Sequence, residues 1–202
     1  RCMQATVEST VKNCMTCQVA TPTAAREPLQ MSVLPNAPWT EVSCDFGHLP
    51  NGQYILVVTD EYSRYPIVDI LDSTSANTVI PRLDKMFAEF GIPEILKSDN
   101  GPPFSSHEFA EYCHHTGIQH RKITPLWPRA NAECERFMRT VKKVIKGSTT
   151  PDIKQSMYKF LLDYRTTPHC TTGVPPATAF FGRSLRNRLP AVPAPRCVDD
   201  FE

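Results

Sequence analysis

Three acidic side chains have the types and settings that metal-dependent chemistry requires. Asp45 falls inside an alternating apolar and polar segment, Asp99 directly follows a short apolar segment, and Glu135 lies in an amphipathic segment. Aspartate is disfavoured within strands, so Asp45 should face water, pair with a cation or bind a metal. Asp99 precedes Asn-Gly, where an aspartate is often only a turn former. The residue types alone leave both interpretations open.

Phosphodiester chemistry is the reaction that would use three converging carboxylates. It needs an activated water or hydroxyl, and relief of negative charge at the attacking and leaving oxygens. Two Mg²⁺ ions about 4 Å apart provide both. Mg²⁺ prefers oxygen ligands and keeps several waters, so a few carboxylates suffice. Three converging carboxylates would suit metal-dependent phosphoryl transfer, but acids are common and their spacing alone does not establish it.

Glu135 also heads a row of basic residues. At 3.6 residues per turn, Arg139, Lys142 and Lys146 lie on about the same side of a helix as Glu135, beside a separate apolar stripe. One interpretation is an ion pair between Glu135 and Arg139, worth a few tenths of a kcal/mol. The other is a metal ligand followed by a track of cations that binds phosphates.

The charge of the chain is concentrated in one segment. The formal net charge is +1, but residues 121–147 carry a net charge of +6 and the remainder −5. A basic segment on a mildly acidic body suggests nucleic acid as the partner. A solvated helix face explains the charge alone equally well.

The elements that must position these acids follow from periodicity. Alternating or β-branched segments predict strands at 40–46, 54–59, 64–71, 93–98 and 118–122. Helical spacing predicts helices at 75–90, 106–115, 131–146 and 153–166. This order predicts an α/β fold with a mixed sheet flanked by helices.

Composition excludes some classes of protein. No apolar run approaches the roughly 18 residues of a membrane span, so we expect no membrane partner. The first residues do not resemble a signal peptide, and Arg1 in place of Met suggests a fragment. Without an export signal, the eight cysteines are better interpreted as thiols or metal ligands than as disulfides.

Several motifs together resemble one family. They begin with Pro38-Trp39, Asp45-Phe46 and the segments 49–52 and 54–58, and continue with the segments 62–65 and 98–101, Phe104, Pro128, Asn131, the segment 135–137, Arg139-Thr140, the segment 164–169, Thr172-Gly173, the segment 181–183 and Leu189-Pro190. In order and spacing they resemble the integrase of gypsy-type LTR retrotransposons and, more distantly, retroviral integrases. Asp99 and Glu135 are separated by 35 residues, which is the family's spacing.

The resemblance implies a fold, a site and a reaction. The fold would be RNase H-like, with a five-stranded mixed sheet flanked by helices. Asp45, Asp99 and Glu135 would be the catalytic triad that binds two Mg²⁺ or Mn²⁺ ions. Water would trim the 3′ ends of the element, and the new 3′-hydroxyls would attack target DNA.

The same resemblance implies partners and a location. The partners would be double-stranded DNA, from both element ends and target, and further copies of the chain. The residues expected to contact DNA are Arg129, Asn131, Arg139, Lys142 and Lys146. The location would be nuclear, with a stage in a cytoplasmic particle.

The domain prediction has four parts. Residues 1–20 resemble the C-terminal remnant of a His-His-Cys-Cys zinc module through Cys14 and Cys17, and residues 21–38 read as a proline-rich linker. Residues 39–182 would be the catalytic core with trailing helices, and 183–202 a proline-rich tail. Two cysteines cannot close a tetrahedral site. Free thiols are therefore expected here, and Zn²⁺ only where an upstream His pair is present.

Two departures from the family pattern leave an alternative function open. Ala132 follows Asn131 where the family usually has glycine, and Arg129 stands where it often has glutamine. The rival is a host-adopted, catalytically silent DNA-binding or interaction protein derived from an integrase. A third possibility, an RNase H-type nuclease, shares the metal chemistry but not the motifs after residue 160.

Overall fold

The computed structural model describes residues 2–15, 34–123, 132–147, 152–188 and 190. The chain divides into two compact units, Arg1–Ser32 and Val33–Glu202. Within the first unit, helix α1 spans Cys2–Asn13 and exposes Met3, Val7 and Val11. Cys14 follows it and is half-buried, whereas Cys17 lies outside the described residues. The zinc module, the linker and the tail therefore stay predictions.

The second unit is built on a five-stranded sheet. Its strands are β1 (Glu41–His48), β2 (Tyr54–Asp60), β3 (Pro66–Leu71), β4 (Ile95–Ser98) and β5 (Gln119–Lys122). Their order across the sheet is β3-β2-β1-β4-β5. β1 pairs antiparallel with β2, and β2 with β3, while β4 runs parallel to both β1 and β5. The predicted mixed sheet is confirmed.

Helices cover both faces of this sheet. They are α2 (Ala76–Phe90), α3 (His107–Thr116), α4 (Ala132–Gly147), α5 (Ile153–Thr166) and the short α6 (Pro176–Phe181). Helices α2 and α3 share one apolar core with Val42, Leu56 and Leu96, whereas α4 and α5 share a second core with Ile55 and Val57. Successive strand residues point to opposite faces, so β2 supplies side chains to both cores.

Local signals in the sequence set several element boundaries. Ser106 caps α3 by accepting a hydrogen bond from the Phe109 backbone N–H at 3.2 Å, and Gly117 ends that helix with φ of 74°. Gly52 has φ of 84° in the turn between β1 and β2. Two backbone hydrogen bonds close this turn, Leu49 N–H to Gln53 carbonyl and Gly52 N–H to Leu49 carbonyl. The predicted Asn51-Gly52 turn is confirmed.

The structure differs from the sequence-based prediction at β3. That strand begins at Pro66 rather than at Arg64, because Asp60 to Tyr65 form a tight turn instead. Arg64 adopts φ of 64° in this turn and forms an ion pair with Glu61 at 2.9 Å. Left-handed backbone cannot continue a strand, so pairing starts two residues later.

Helix α6 was not predicted. Its six residues carry no helical periodicity long enough to identify from sequence. Among the described residues, no helix is both long and apolar enough to cross a membrane.

Candidate active site

The parallel pairing of β1 with β4 aligns two of the predicted acids. Ser43 pairs with Lys97 in this register. Two residues further along each chain, Asp45 in β1 and Asp99 directly after β4 occupy equivalent positions. Both side chains belong to the same face of the sheet, because strand side chains alternate with a period of two. The sheet therefore brings Asp45 and Asp99 side by side.

This is the face that α4 covers. Asp45 is paired directly with Val57 of β2, and Val57 is buried against α4. The Asp45 side chain is half-buried, and its Oδ1 accepts a hydrogen bond from the Phe46 backbone N–H at 2.8 Å. A carboxylate in the interior of a strand is thus held at the border between the apolar core and solvent.

Asp99 occupies a more open position at the end of β4. Its side chain is exposed, and Oδ1 accepts from the Gly101 backbone N–H at 3.1 Å. A Cβ atom at Gly101 would lie 3.2 Å from Asp99 Oδ2 and 3.3 Å from Oδ1. Glycine at 101 therefore lets the chain turn closely over the carboxylate.

A partly buried pair of hydrogen bonds supports the backbone of Asp99. The Ser98 hydroxyl donates to the Asp99 carbonyl at 2.9 Å and lies 2.8 Å from His120 Nε2. A hydroxyl has one proton, so Ser98 accepts from a protonated Nε2 of His120. Burial and then the Lys122 charge lower the pKa of His120. The neutral ring that carries its proton on Nε2 fits both observations.

Two buried thiols lie within the electrostatic field of the acids. Burial raises the pKa of Cys44 well above its usual value, and Cys134, Asp45 and Asp99 add to the rise. Burial also raises the pKa of Cys134 to about 12, again with a contribution from Asp45. Both cysteines are therefore neutral core residues. Asp45 contributes to both shifts, so its carboxylate lies near Cys134 in the first turn of α4.

Cys134 attaches the start of α4 to the sheet. Its Sγ lies 3.6 Å from Thr59 Oγ1 on β2, opposite Ser43 of β1. Glu135 is the next residue of α4, so its backbone lies beside the sheet face that carries Asp45. The Glu135 side chain lies outside the described residues. The third member of the predicted triad therefore stays a prediction.

Two of the three predicted metal ligands, the carboxylates of Asp45 and Asp99, are described. The described side chains contain no group of three His, Cys, Asp or Glu that could hold a metal ion. Asp45 and Asp99 nevertheless supply the hard oxygen donors that Mg²⁺ prefers, at equivalent positions on neighbouring strands. One further carboxylate from the adjacent turn of α4 would complete such a set.

The structure describes three of the five predicted DNA-binding residues. Arg139, Lys142 and Lys146 are exposed on α4, while Phe137 and Val141 of the apolar stripe are buried. Arg129 and Asn131 lie outside the described residues. The exposed row on α4 is thus compatible with either a phosphate track or a solvated face.

Another acid, Asp60, is structural. It is fully buried and accepts hydrogen bonds from the Trp39 N–H at 2.8 Å, the Ser63 N–H at 2.8 Å and the Ser63 hydroxyl. These bonds fasten the turn between β2 and β3 to the segment that precedes β1. No sequence pattern indicated this role for Asp60.

Comparison with known proteins connects this geometry to a family. Residues 35–128 match the integrase core domain model. The uncharacterized protein K02A2.6 of Caenorhabditis elegans is 37% identical over 193 residues, which are 94% of this chain and 15% of that protein. The Gag-Pro-Pol polyprotein of Simian retrovirus SRV-1 is 28% identical over 145 residues, 70% of this chain and 8% of the polyprotein. The chain thus spans only a small part of these relatives.

Solved structures share the fold. A chain of the simian T-cell lymphotropic virus intasome in complex with PP2A regulatory subunit B56 gamma matches with a TM-score of 0.72 and 19% identity, covering 98% of this chain and 72% of that one. The HTLV-2 integrase catalytic core domain in complex with magnesium matches with a TM-score of 0.59 and 18% identity, covering 72% of this chain and 98% of that one. The RNase H-like fold is confirmed.

Proposed function

We propose, from the match of residues 35–128 to the integrase core domain family, that the chain catalyses metal-dependent insertion of element DNA into target DNA. The observation that carries the proposal is the placement of Asp45 in β1 and of Asp99 directly after the parallel strand β4, at equivalent positions in the register. The narrower assignment to gypsy-type elements stays a prediction.

The residues of the chain have separate roles in this proposal. Asp45 and Asp99, with Glu135 from α4, would hold divalent ions. When bound, those ions supply an activated nucleophile and neutralise charge on the attacking and leaving oxygens. Arg139 and Lys142 on α4 would hold DNA phosphates and keep the reacting end in line.

The partners and the location follow from the reaction proposed. Double-stranded DNA would be the substrate at both the element end and the target. Joining two element ends to one target requires more than one copy of the site, which supports a homo-oligomer. Chromosomal target DNA implies a nuclear site of action, after a stage in a cytoplasmic particle.

Glu135→Gln gives the first prediction and the direct test. The substitution keeps the size of the side chain and removes the charge that would hold a metal ion. In the full-length protein with Mg²⁺ and oligonucleotides matching the element ends, we expect 3′-end trimming and strand transfer to fall together by several orders of magnitude. Binding to duplex DNA should survive, because it depends on cations spread along α4.

Glu89→Gln is the matched control, because Glu89 is exposed on α2, on the other side of the sheet. It should leave both reactions unchanged. Unimpaired strand transfer by Glu135→Gln would remove Glu135 from the mechanism. Tight DNA binding without strand transfer in the unmutated protein would favour the catalytically silent, host-adopted binding protein.

A further inference from the structure

A buried ion pair lies on the sheet face that carries Asp45 and Asp99. The ammonium of Lys97 in β4 is 2.6 Å from Glu41 Oε2 in β1, and only 9% and 16% of the two side chains are exposed. Side chains two positions apart on a strand share a face. Glu41 therefore shares the face of Asp45, and Lys97 likewise shares the face of Asp99. A cation is thus buried beside the two proposed metal ligands.

Lys97 lies about as far from Asp99 as from Glu41. Asp99 follows Lys97 by two residues, which is about 7 Å of extended chain at 3.3 Å per residue. Glu41 pairs with Ile95 across the parallel strands, so it is displaced from Lys97 by one strand spacing and by two residues. With about 4.8 Å between strands, that displacement is about 8 Å. The flexible four-carbon side chain of lysine can turn toward either carboxylate, and in the structure its ammonium contacts Glu41.

The ammonium of Lys97 depends on Glu41 for its counter-charge. A buried ammonium is unfavourable without an acid beside it. Glu41 Oε2 is also buried, and Lys97 is its only polar partner among the residues that the structure describes. Glu61, whose charge also acts on the first turn of α4, already forms an ion pair with Arg64 at 2.9 Å. Without the charge of Glu41, the ammonium would therefore turn to Asp99, the acid closest along its own strand.

An ammonium group on Asp99 would obstruct metal binding. It would occupy the carboxylate oxygens that Mg²⁺ or Mn²⁺ needs, and its positive charge would repel the ion. Because Lys97 is attached two residues from Asp99, it would compete as an intramolecular partner with a high effective concentration. A divalent ion from solution would have to displace it.

We propose that Glu41 is a positioning residue, which holds the ammonium of Lys97 away from Asp45 and Asp99 and so keeps both carboxylates available to a divalent cation. The proposal rests on the metal site of the proposed function. Glu41 lies four residues before Asp45, about 13 Å along β1, so it acts through Lys97 and is not a ligand itself.

Binding of Mn²⁺ to the full-length protein without DNA tests this role. Free Mn²⁺ is measured by electron paramagnetic resonance, so the readout does not depend on catalysis. Glu41→Gln keeps the size of the side chain and removes its charge, which frees Lys97 to pair with Asp99. We expect the Kd for Mn²⁺ to rise about tenfold, which corresponds to about 1.4 kcal/mol of competition from the ammonium.

A second substitution in the same chain identifies Lys97 as the competitor. The double variant Glu41→Gln, Lys97→Met has no ammonium to move, so its Kd should return to within about twofold of the unmutated value. It should also fold, because neutral side chains of similar volume often replace a buried ion pair without loss of stability. Asp69→Asn is the matched control, because it removes the acid of an ion pair with Arg82 on the face that α2 covers. Its Kd should not change.

Lys97→Met alone separates competition from a general effect of charge. If Glu41→Gln weakened binding only through its added net positive charge, Lys97→Met should tighten binding by a similar factor. Under the proposal, the ammonium of the unmutated protein is already held by Glu41, so its removal should change the Kd by no more than about twofold. A tightening as large as the loss in Glu41→Gln would overturn the proposal.

The remaining outcomes separate a positioning ion pair from a purely structural one. A lower Tm of Glu41→Gln with an unchanged Kd, or a raised Kd that persists in the double variant, would overturn the positioning role. A single variant that fails to fold beside a double variant that folds would also overturn it, because the ammonium would then have found no other carboxylate. None of these results would affect strand transfer by the unmutated protein, so the integrase function would stand.

Strand transfer by the unmutated protein tests the proposed function by itself. Its absence, together with Mn²⁺ binding that follows the expected pattern in the variants, would overturn the integrase function and leave the positioning role standing. Absence of Mn²⁺ binding by the unmutated protein would overturn both.

Discussion

At the scale of residues, the acids differ in what surrounds them. Asp60 is fully buried and holds backbone and hydroxyl donors, whereas Asp45 is half-buried and Asp99 is exposed beside it. A metal ligand must reach solvent to exchange waters and substrate, and a structural acid need not. The sequence could identify Asp45 as unusual within a strand. It could not distinguish the buried role of Asp60 from that of a catalytic acid, because three-dimensional neighbours decide it.

Gly101→Ala gives a prediction about Asp99. The added Cβ would lie 3.2–3.3 Å from both carboxylate oxygens, closer than ordinary contact, so the carboxylate must shift by a few tenths of an ångström. We expect strand transfer to fall about tenfold or more at fixed Mg²⁺, because metal ligands tolerate little displacement, with a smaller change in Tm. Gly147→Ala adds a Cβ with no neighbour within 4 Å and serves as the control. Equal activities of the two variants would contradict the prediction.

His120 gives a prediction about pH. Burial and Lys122 lower its pKa in the folded state, while the unfolded value is about 6.5. The unfolded chain therefore binds more protons as pH falls below about 6.5, so the stabilisation is complete above that pH and is lost below it. His120→Gln keeps an N–H donor for Ser98 but does not titrate.

Thermal unfolding between pH 7.5 and 5 measures the effect. The Tm of the unmutated protein should fall more steeply with acidification than the Tm of His120→Gln. His114→Gln removes an exposed histidine of α3 and should retain the steep dependence. If the Tm of the unmutated protein and the Tm of His120→Gln fell equally with pH, His120 would be excluded as the source of the pH dependence.

At the scale of elements, the position of α4 depends on a glycine in β1. A Cβ at Gly47 would lie 1.8 Å from Met138 Cε and 2.9 Å from Ile55 Cγ2. Helix α4 therefore packs closely on β1 because Gly47 has no side chain, which leaves room for the side chain of Met138. This close approach keeps the helix that carries Glu135 against the strand that carries Asp45.

Gly47→Ala should lower the free energy of unfolding by about 1–3 kcal/mol, because it overpacks this contact. Met138→Ala should also destabilise, through lost packing. The double variant should be more stable than the sum of the two losses predicts, since the shortened side chain makes room for the new methyl group. Chemical denaturation of all three measures this, and strictly additive losses would refute direct contact.

Periodicity predicted most elements but not their ends. The alternation at 40–46 and the apolar segment at 54–59 became β1 and β2, each extended slightly by pairing with its neighbour. The predicted start of β3 was wrong because Asp60 fixes the turn that contains Arg64, through hydrogen bonds from Ser63 and from Trp39, which is 21 residues earlier in the chain.

At the scale of the whole molecule, metal binding should be visible as stability. Any ligand that binds only the folded state raises the free energy of unfolding by RT ln(1 + [L]/Kd), about 1.4 kcal/mol at ten times Kd. We expect Mg²⁺ to raise Tm in a concentration-dependent way and EDTA to reverse the rise. Asp99→Asn should abolish the rise in Tm, because it removes the charge of a proposed metal ligand. The variant should still fold, because the Asp99 side chain is exposed.

NaCl at matched ionic strength controls for general screening and should give no comparable rise. A rise of equal size in Asp99→Asn would place the bound Mg²⁺ elsewhere on the protein.

The two edges of the sheet determine how copies of the molecule can meet. Strand β3 begins with a proline whose carbonyl accepts two hydrogen bonds from Arg165, at 2.8 and 3.1 Å. Strand β5 has four residues, two of them exposed and basic, Arg121 and Lys122. A proline, an occupied carbonyl and charges on a short strand all oppose the addition of a foreign strand. We therefore expect the described sheet to resist amyloid-like extension and any ordered assembly to use helical or loop surfaces.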